Sequence, residues 1–279
     1  MRPAGSVAST SVLALVTGGG RGYGATTVRA FAAAGHKVAV LGRNRPDVET
    51  VAGEVDGIAC IADVLDTAAL ERAVAAVTDA HGPVDVLVNN AGIGGSLGLA
   101  WEVEPDEWWR AVEVNVRGTH NATVAVLPSM LRRGAGRIVN VVSHAGVARW
   151  PYGSSYSVSK AAVIKYGENL AAEVRKQGVV VLNYHPGILE IGLTATLFES
   201  SPAPGTTEDM VARWFRQQIA DGRSVDATES AEKLVRLASG EFDRLSGRYL
   251  TAYDDLDALR ERVADIAASD LLTLGLIER

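Results

Sequence analysis

The stretch VLALVTGGGRGYG, residues 12–24, decides the fold because it joins an apolar run to a glycine-rich turn and then to a helix. Glycines let such a turn close tightly and let its backbone approach a phosphate group. The helix adds free N–H groups and the positive end of its dipole. The spacing of Gly18, Gly22 and Gly24 is not GxGxxG, and no Gly-Lys-Ser/Thr follows, which disfavours a nucleoside-triphosphate loop. The stretch therefore predicts either a dinucleotide-binding turn or an ordinary glycine-rich turn.

Apolar runs of strand length alternate with helical segments along the rest of the chain. The predicted strands are residues 12–17, 37–42, 57–62, 84–89, 137–143, 178–185 and 247–253, and the predicted helices are roughly residues 24–34, 67–81, 106–132, 156–176 and 227–239. The strands are rich in Val, Ile and Leu, which is typical of strands covered on both faces. We predict an α/β fold: a Rossmann-like, doubly wound parallel β-sheet with helices on both faces, forming a single domain over residues 11–279. Residues 1–10 are predicted to be a disordered tail.

Composition excludes several classes of protein. A chain of 279 residues fits one large α/β domain. The net charge of −6, without a basic cluster, argues against nucleic-acid binding. The sequence contains no uninterrupted run of about 18 apolar residues, so no membrane span is predicted. The single cysteine, Cys60, cannot form an internal disulfide, which favours a reducing, cytoplasmic compartment.

The residues after the second predicted strand bear on the choice of cofactor. An acid about 20 residues beyond the glycines binds the ribose hydroxyls of NAD, but Gly42 stands there and Arg43 follows. Arg21 lies inside the glycine turn. Two guanidinium groups near one ribose suit the 2′-phosphate of NADP, unless they point into solvent. Asp47 lies further on and is predicted to begin the next helix.

The segment SSYSVSK, residues 154–160, places Tyr156 and Lys160 one helical turn apart. A neighbouring cation favours the phenolate and lowers the pKa of a phenol, which would make Tyr156 a proton donor or acceptor near neutral pH. The alternative is an ordinary packed helix with a polar start. Polar or glycine-containing segments also follow the other predicted strands, namely Asp63-Val64, NNAG at residues 89–92, Ser143, and HPG at residues 185–187.

Together these motifs resemble the short-chain dehydrogenase/reductase family, in order, from about Ser11 to about Tyr253. The matching features are TGGGRGYG, Asp63-Val64, NNAG, Asn115 in VNVRG, Ser143, and Tyr156 with Lys160. The resemblance implies a Rossmann-like fold, a nicotinamide cofactor, and hydride transfer to or from a carbonyl or alcohol carbon. It implies no metal.

The resemblance also implies roles for individual residues. Tyr156 is expected to be the general acid or base, Lys160 to lower its pKa and hold the nicotinamide ribose, Ser143 to bind the carbonyl oxygen, and Asn115 to position a water. The expected cofactor-binding residues are Gly18, Arg21, Gly22, Tyr23, Gly24, Arg43, Asp63, Val64, Asn90, Ala91, Gly92, Tyr156, Lys160, Pro186 and Gly187. His144 and His185 flank this site and are expected to be wall residues.

One position departs from the family pattern. Members usually carry a threonine four residues after the Pro-Gly glycine, contacting the nicotinamide amide, and here that residue is Ile191. Thr194 or Thr196 replaces it if the loop is rearranged. The departure concerns the loop and the grip on the cofactor, not the fold.

Residues 188–226 are expected to form a long substrate lid loop. The expected substrate pocket comprises His144, Trp150, Tyr152, Leu189, Ile191, Phe198 and Trp214. These apolar and aromatic groups favour a carbonyl on a bulky, mostly apolar substrate. Alternatively, Trp214 and Phe215 only anchor a lid helix.

The sequence therefore predicts an NADP(H)-dependent ketoreductase acting on a small-molecule carbonyl or alcohol. An NAD-dependent alcohol dehydrogenase is the first alternative. A non-catalytic NADP-binding redox sensor is the second, and the presence of both Tyr156 and Lys160 disfavours it. Family members are mostly homodimers or homotetramers, so a homo-oligomer is expected.

Overall fold

The computed structural model describes residues 11–275, so the predicted tail at residues 1–10 lies outside the described residues. Seven parallel strands form one sheet: β1 (Leu13–Thr17), β2 (Lys37–Gly42), β3 (Ile58–Ile61), β4 (Val86–Asn89), β5 (Gly136–Val141), β6 (Val179–His185) and β7 (Tyr249–Thr251). Their order is β3-β2-β1-β4-β5-β6-β7. The order reverses between β1 and β4, where the strand ends leave a crevice for ligands. The predicted Rossmann-like α/β fold is confirmed.

Helices cover both faces of the sheet. They are α1 (Gly22–Ala33), α2 (Arg45–Glu54), α3 (Thr67–His81), α4 (Pro105–Val112), α5 (Gly118–Arg133), α6 (Ser154–Val174), α7 (Leu193–Glu199), α8 (Thr207–Ala220), α9 (Ala227–Leu237) and α10 (Leu256–Ala267). Alternate residues of β1 enter different cores: Ala14 and Val16 pack with α1, α2, α9 and α10, and Leu13 and Leu15 pack with α3, α5 and α6. This alternation explains why the strands are apolar on both faces.

Three helical predictions need correction. The predicted helix 106–132 is interrupted by a π-helical turn at Glu113–Arg117, which joins α4 to α5. The predicted lid loop 188–226 contains α7 and α8, and Thr206 caps α8 by accepting a hydrogen bond from the Asp209 amide. The final helix, α10, was not predicted, although Asp255 caps it in the same way. The sequence shows these caps, and in α10 it also shows apolar residues at helical spacing, Leu256, Leu259, Val263 and Ile266, so the signal for this helix was present.

Among the residues that the structure describes, no helix is long and apolar enough to cross a membrane.

Candidate active site

A cleft of about 2010 Å³ runs along the carboxyl edge of the sheet. It is lined by the segments that follow β1 to β6, including the glycine turn, and by residues of α7 and α8. Most of the predicted site residues are therefore brought to one place by the strand order. Parallel α/β sheets bind ligands at this edge.

Tyr156, Ser143 and Lys160 meet in the middle of this cleft. Tyr156 is the third residue of α6 and borders the cleft together with Ser143, whose hydroxyl acts to lower the pKa of the phenol. Ser143 lies just after the end of β5 and caps a short 3₁₀ turn. Its hydroxyl accepts a hydrogen bond from the Ala145 amide at 3.2 Å. Lys160 lies one turn along α6, with its Nζ 5.6 Å from the centre of the Tyr156 ring. The predicted spacing thus produces a phenol, a hydroxyl and an ammonium group facing one cavity.

The pKa of Tyr156 differs from the expectation based on its neighbour. Burial raises the pKa of the Tyr156 phenol, and the Ser143 hydroxyl only partly opposes that effect. Lys160 does not reverse it, since its ammonium group lies over the ring and donates to the Val141 carbonyl at 2.9 Å. Tyr156 is therefore fully protonated near neutral pH, which suits a proton donor.

Burial also affects Lys160 itself. The side chain is 7% exposed, and desolvation lowers the pKa of Lys160 to about 8. The ammonium form therefore predominates at neutral pH and is lost as the pH rises through about 8. This is a lower pH than for an exposed lysine, whose pKa is about 10.4.

Asn115 lies in the π-helical turn and is 1% exposed. Its amide donates to the Ile93 carbonyl at 2.9 Å and to Ser159 Oγ at 2.8 Å, and its Oδ1 accepts from the Ile93 amide at 2.8 Å. Both amide hydrogens are therefore used within the protein. Asn115 ties the segment after β4 to α6, and its side chain has no donor left for the water that the sequence predicted.

The glycine turn fits the phosphates of a dinucleotide. Gly18 has a φ of +64°, and a Cβ there would lie 2.9 Å from the Ala91 Cα, so a side chain is excluded. A Cβ at Gly24 would collide with the Gly18 carbonyl. The first turn of α1 contains no acid and no capping side chain, which leaves its N–H groups free for an anion.

The NNAG segment is hydrogen-bonded to the residues at the start of the glycine turn. Asn90 Nδ2 donates to the Thr17 carbonyl at 2.9 Å, and the Asn90 and Ala91 amides both donate to Thr17 Oγ1 at 3.0 Å. A Cβ at Gly92 would lie 3.7 Å from Lys160 Nζ, so this glycine borders the reacting centre. The Asn90 side chain is thus used to shape the turn.

One predicted cofactor residue turns its phenol away from the cleft. The Tyr23 side chain is 8% exposed, and its Oη is hydrogen-bonded to Ser230 Oγ in the core at 3.1 Å. The Tyr23 phenol is therefore used in the core, but Tyr23 still borders the cleft, so its part in binding the cofactor stays a prediction. The sequence pattern locates the residue in the turn but not the direction of its side chain.

The end of the cleft beside β2 and β3 carries charged side chains. Arg43 Nη1 lies 3.6 Å from Asp63 Oδ2, and both groups are partly exposed. Arg21 is exposed at the start of α1. Asp47, which was not among the predicted site residues, also borders the cleft from the first turn of α2. It lies close to the glycine turn, since a Cβ on Gly20 would lie 3.0 Å from the Asp47 Cβ. Val64 is buried, and its carbonyl accepts from Asn121, a residue that sequence reasoning missed.

The other end of the cleft is aromatic. The rings of Trp150 and Trp214 pack edge to face with their centres 4.6 Å apart, and Phe215 lies 5.6 Å from Trp150. All three border the cleft, as do Leu189 and Ile191. The cluster therefore both anchors α8 and lines the cavity, so the two predicted alternatives coexist.

Two predicted pocket residues do not line the cleft. Tyr152 has a φ of +68°, and its carbonyl accepts from the Gly98 amide, which makes it a turn residue. Phe198 lies under the Arg216 guanidinium, 5.0 Å from the ring centre, because the lid is helical at both residues. Tyr152 and Phe198 therefore do not border the cleft, contrary to the prediction: the chain turns at Tyr152 between Ser143 and Tyr156, and the predicted lid loop is helical at Phe198.

Two histidines form part of the wall. His144 and His185 border the cleft, with ring centres 6.2 Å apart. Burial, with His144 and Lys160 adding to it, lowers the pKa of His185 to about 4, so this ring is neutral near neutral pH. Tyr249 stacks on its other side at 6.4 Å.

Sequence reasoning missed Tyr249, Tyr253 and the loop at residues 93–98, all of which border the cleft. Tyr253 Oη accepts from the Ile188 amide at 2.9 Å and donates to the Arg223 carbonyl at 3.0 Å, so it joins the two ends of the lid. Tyr253 follows the carboxyl end of β7, a signal that could have found it, whereas Tyr249 is the first residue of that strand and gave no such signal.

Comparison with known proteins agrees with this geometry. The family model for short chain dehydrogenases matches residues 12–202. The chain belongs to the short-chain dehydrogenase family, as the sequence predicted.

Within that family, relatives differ in cofactor and substrate. A Streptomyces coelicolor protein assigned as a ketoacyl reductase is 36% identical, over 81% of this chain and 90% of its own. An NAD(+)-dependent 2-dehydro-3-deoxy-L-rhamnonate dehydrogenase of a Sphingomonas strain is 34% identical, over 84% and 94%. The structure of a variant of actinorhodin polyketide ketoreductase with NADPH has a TM-score of 0.78 and 31% identity, covering 86% of this chain and 95% of that one. The protein is thus an oxidoreductase of this family.

Among residues 11–275, no group of three or more histidine, cysteine or acidic side chains is placed to hold a metal ion.

Proposed function

We propose that the protein is an NADP(H)-dependent ketoreductase that acts on a carbonyl group of a bulky, mostly apolar substrate. The observation that carries the proposal is the convergence of Tyr156, Ser143 and Lys160 in the cleft that also contains the glycine turn. The similarity to ketoreductases supports the direction of reaction.

The residues of the chain supply the proton and the orientation. When bound, the nicotinamide supplies the two electrons and the hydrogen that reach the carbonyl carbon. Ser143 and Tyr156 donate hydrogen bonds to the carbonyl oxygen, which gains negative charge as the carbon is reduced. Tyr156 then gives its phenolic proton to that oxygen, and the product is an alcohol. In the reverse direction the phenolate takes the same proton back.

Lys160 has two roles in this proposal. Its ammonium group lies beside the Tyr156 ring and stabilises the phenolate that remains after proton transfer. It would also donate to the ribose next to the nicotinamide. Gly18, Gly22 and the first turn of α1 would hold the phosphates, Asp63 and Val64 the adenine, and Pro186 and Gly187 the nicotinamide.

The preference for NADP(H) is proposed from the charges at the adenosine end. Gly42 leaves out the acid that would bind the ribose of NAD, and Arg21 and Arg43 border the same cleft as Gly42. The relative that uses NAD(+) supports the alternative of an NAD-dependent dehydrogenase. Cofactor preference must therefore be measured directly.

Arg43→Ala is expected to lower kcat/KM for NADPH about tenfold while changing kcat/KM for NADH less than about twofold. Only NADPH carries the 2′-phosphate, and charge-assisted contacts of an exposed group lie at the low end of roughly 1.5–3 kcal/mol. Steady-state kinetics with both cofactors provide the measurement. Arg45→Ala is the matched control, because Arg45 is exposed and paired with Glu49 outside the cleft. Equal losses with both cofactors would show that the arginine does not read the phosphate.

The bulk of the substrate is proposed from the aromatic cluster of Trp150, Trp214 and Phe215. For matched ketones of increasing apolar size, kcat/KM is expected to rise, with each buried methylene contributing up to about 0.8 kcal/mol until the cavity is full. Trp214→Ala is expected to flatten this trend. Trp101→Ala, at a tryptophan that is 79% exposed and outside the cleft, is the control. A preference for hydroxylated sugar acids would refute the proposal and favour the alternative.

A homo-oligomer, either a dimer or a tetramer, is proposed from apolar groups on the helices that are long in this family. Trp109 on α4, Val124 on α5 and Val158 on α6 are 62%, 47% and 47% exposed. A monomer mass by light scattering would contradict this.

A cytoplasmic location is proposed from Cys60, the single cysteine of the chain. Cys60 is buried, and burial raises its pKa to about 11, so it is a packed and unreactive thiol.

A further inference from the structure

Three hydroxyl groups meet in the apolar core behind the cleft. Tyr23 is the second residue of α1, Tyr184 lies in β6 and Ser230 lies in α9. Tyr184 and Ser230 are fully buried, and Tyr23 is 8% exposed. Buried hydroxyls cost free energy unless they are hydrogen-bonded, so the arrangement is stable only if each of them has a partner.

Ser230 satisfies all three and joins them to the backbone. Its Oγ donates its hydrogen to the Pro186 carbonyl at 2.8 Å. Ser230 Oγ is therefore the acceptor in its hydrogen bond with Tyr23 Oη at 3.1 Å. Tyr184 Oη donates to the Ser230 carbonyl at 2.9 Å. We call these four residues the hydroxyl network. Burial raises the pKa of both tyrosines, so they remain neutral donors.

The hydroxyl network connects two distant parts of the cofactor cleft. Tyr23 lies between Gly22 and Gly24 in the phosphate-binding turn, whereas Pro186 leads into Gly187 at the end of β6. Apolar side chains would also pack α9 against α1, but they would not fix the direction of the Pro186 carbonyl. Directional bonds in a low-dielectric core specify one arrangement of the elements that they join.

We propose that the hydroxyl network sets the separation between the glycine turn and the Pro186–Gly187 corner, so that one dinucleotide contacts both, and that Tyr23 and Ser230 are positioning residues for the cofactor. The proposal rests on the nicotinamide cofactor of the proposed function, but it holds for either nicotinamide dinucleotide. It requires that loss of the network weaken ligands that span both ends more than ligands that touch one end.

The test compares a whole cofactor with a fragment, using Tyr23→Phe, Ser230→Ala and the double variant. Binding is measured by isothermal titration calorimetry for NADPH and for adenosine 2′,5′-bisphosphate, which lacks the nicotinamide half. If the wild type binds NADH more tightly, NADH and AMP replace them, so a wrong cofactor assignment is recognised separately. Ser246→Ala is the matched control, because Ser246 Oγ accepts from the Val181 amide at the opposite end of β6.

We expect each single variant to weaken binding of the whole cofactor about tenfold and to change binding of the fragment less than about twofold. The double variant is expected to lose little more than Ser230→Ala alone, since both changes break one chain of bonds. Tyr23→Phe keeps the ring and is the informative variant if Ser230→Ala does not fold. Equal weakening of cofactor and fragment, or the same loss in Ser246→Ala, would overturn the proposal.

Discussion

Tyr156→Phe is expected to fold, to bind the cofactor and to lose turnover by about 10²–10⁴, the range for loss of a general acid. The change keeps the ring and removes only the hydroxyl, which shares the cleft with Ser143. The measurement is kcat with saturating cofactor and ketone, together with the dissociation constant of the cofactor.

The matched control for this prediction is Tyr166→Phe. Tyr166 lies on the same helix, α6, but packs against His120 at 5.8 Å, outside the cleft. The control is expected to keep its turnover. If Tyr156→Phe kept most of its activity, Tyr156 would not be the proton donor.

Lys160→Ala is expected to weaken cofactor binding about tenfold or more and to lower kcat by about 10², because the proposed function gives its ammonium group two roles. It also leaves space in a buried position, since the side chain is 7% exposed. Lys160→Met fills that space without a charge, so it separates loss of packing from loss of the ammonium group. Lys165→Ala is the control, because Lys165 is exposed on α6 and paired with Glu168.

The pH dependence gives the same residue a second test. Burial lowers the pKa of Lys160 to about 8, so in the free enzyme the ammonium form is lost as the pH rises through about 8. Because the cofactor binds the charged form, kcat/KM for the cofactor is expected to fall above that pH. Lys160→Met is expected to lack this fall. A wild-type profile that stays flat to pH 10 would contradict the assignment.

The fold was predictable because its signal is repeated in every strand. Each apolar run is covered on both faces, as Leu15 and Val16 illustrate by entering different cores. The glycine turn and the Tyr156–Lys160 spacing were equally direct, since one helical turn fixes which residues share a face. Boundaries were less certain, and Ser143 lies just beyond β5 rather than inside it.

Other features depend on tertiary contacts that local sequence does not encode. The π-helical turn that carries Asn115 is held by bonds to Ile93, 22 residues away. The inward direction of Tyr23 depends on Ser230, which is 207 residues away in the chain. Burial of Tyr156 and Lys160 reversed the expected direction of the tyrosine pKa, because desolvation depends on neighbours from several elements.

The most direct test of the central claim follows one hydrogen from cofactor to product. The wild-type protein is incubated with a bulky aryl ketone and NADPH that carries deuterium at the transferable position of the nicotinamide, and the alcohol is analysed by mass spectrometry. We expect one alcohol for each NADPH oxidised, with one deuterium on the former carbonyl carbon, and no more than trace amounts of alcohol with Tyr156→Phe. No consumption of NADPH across a series of such ketones, or reduction that proceeds only with NADH, would contradict the proposed function.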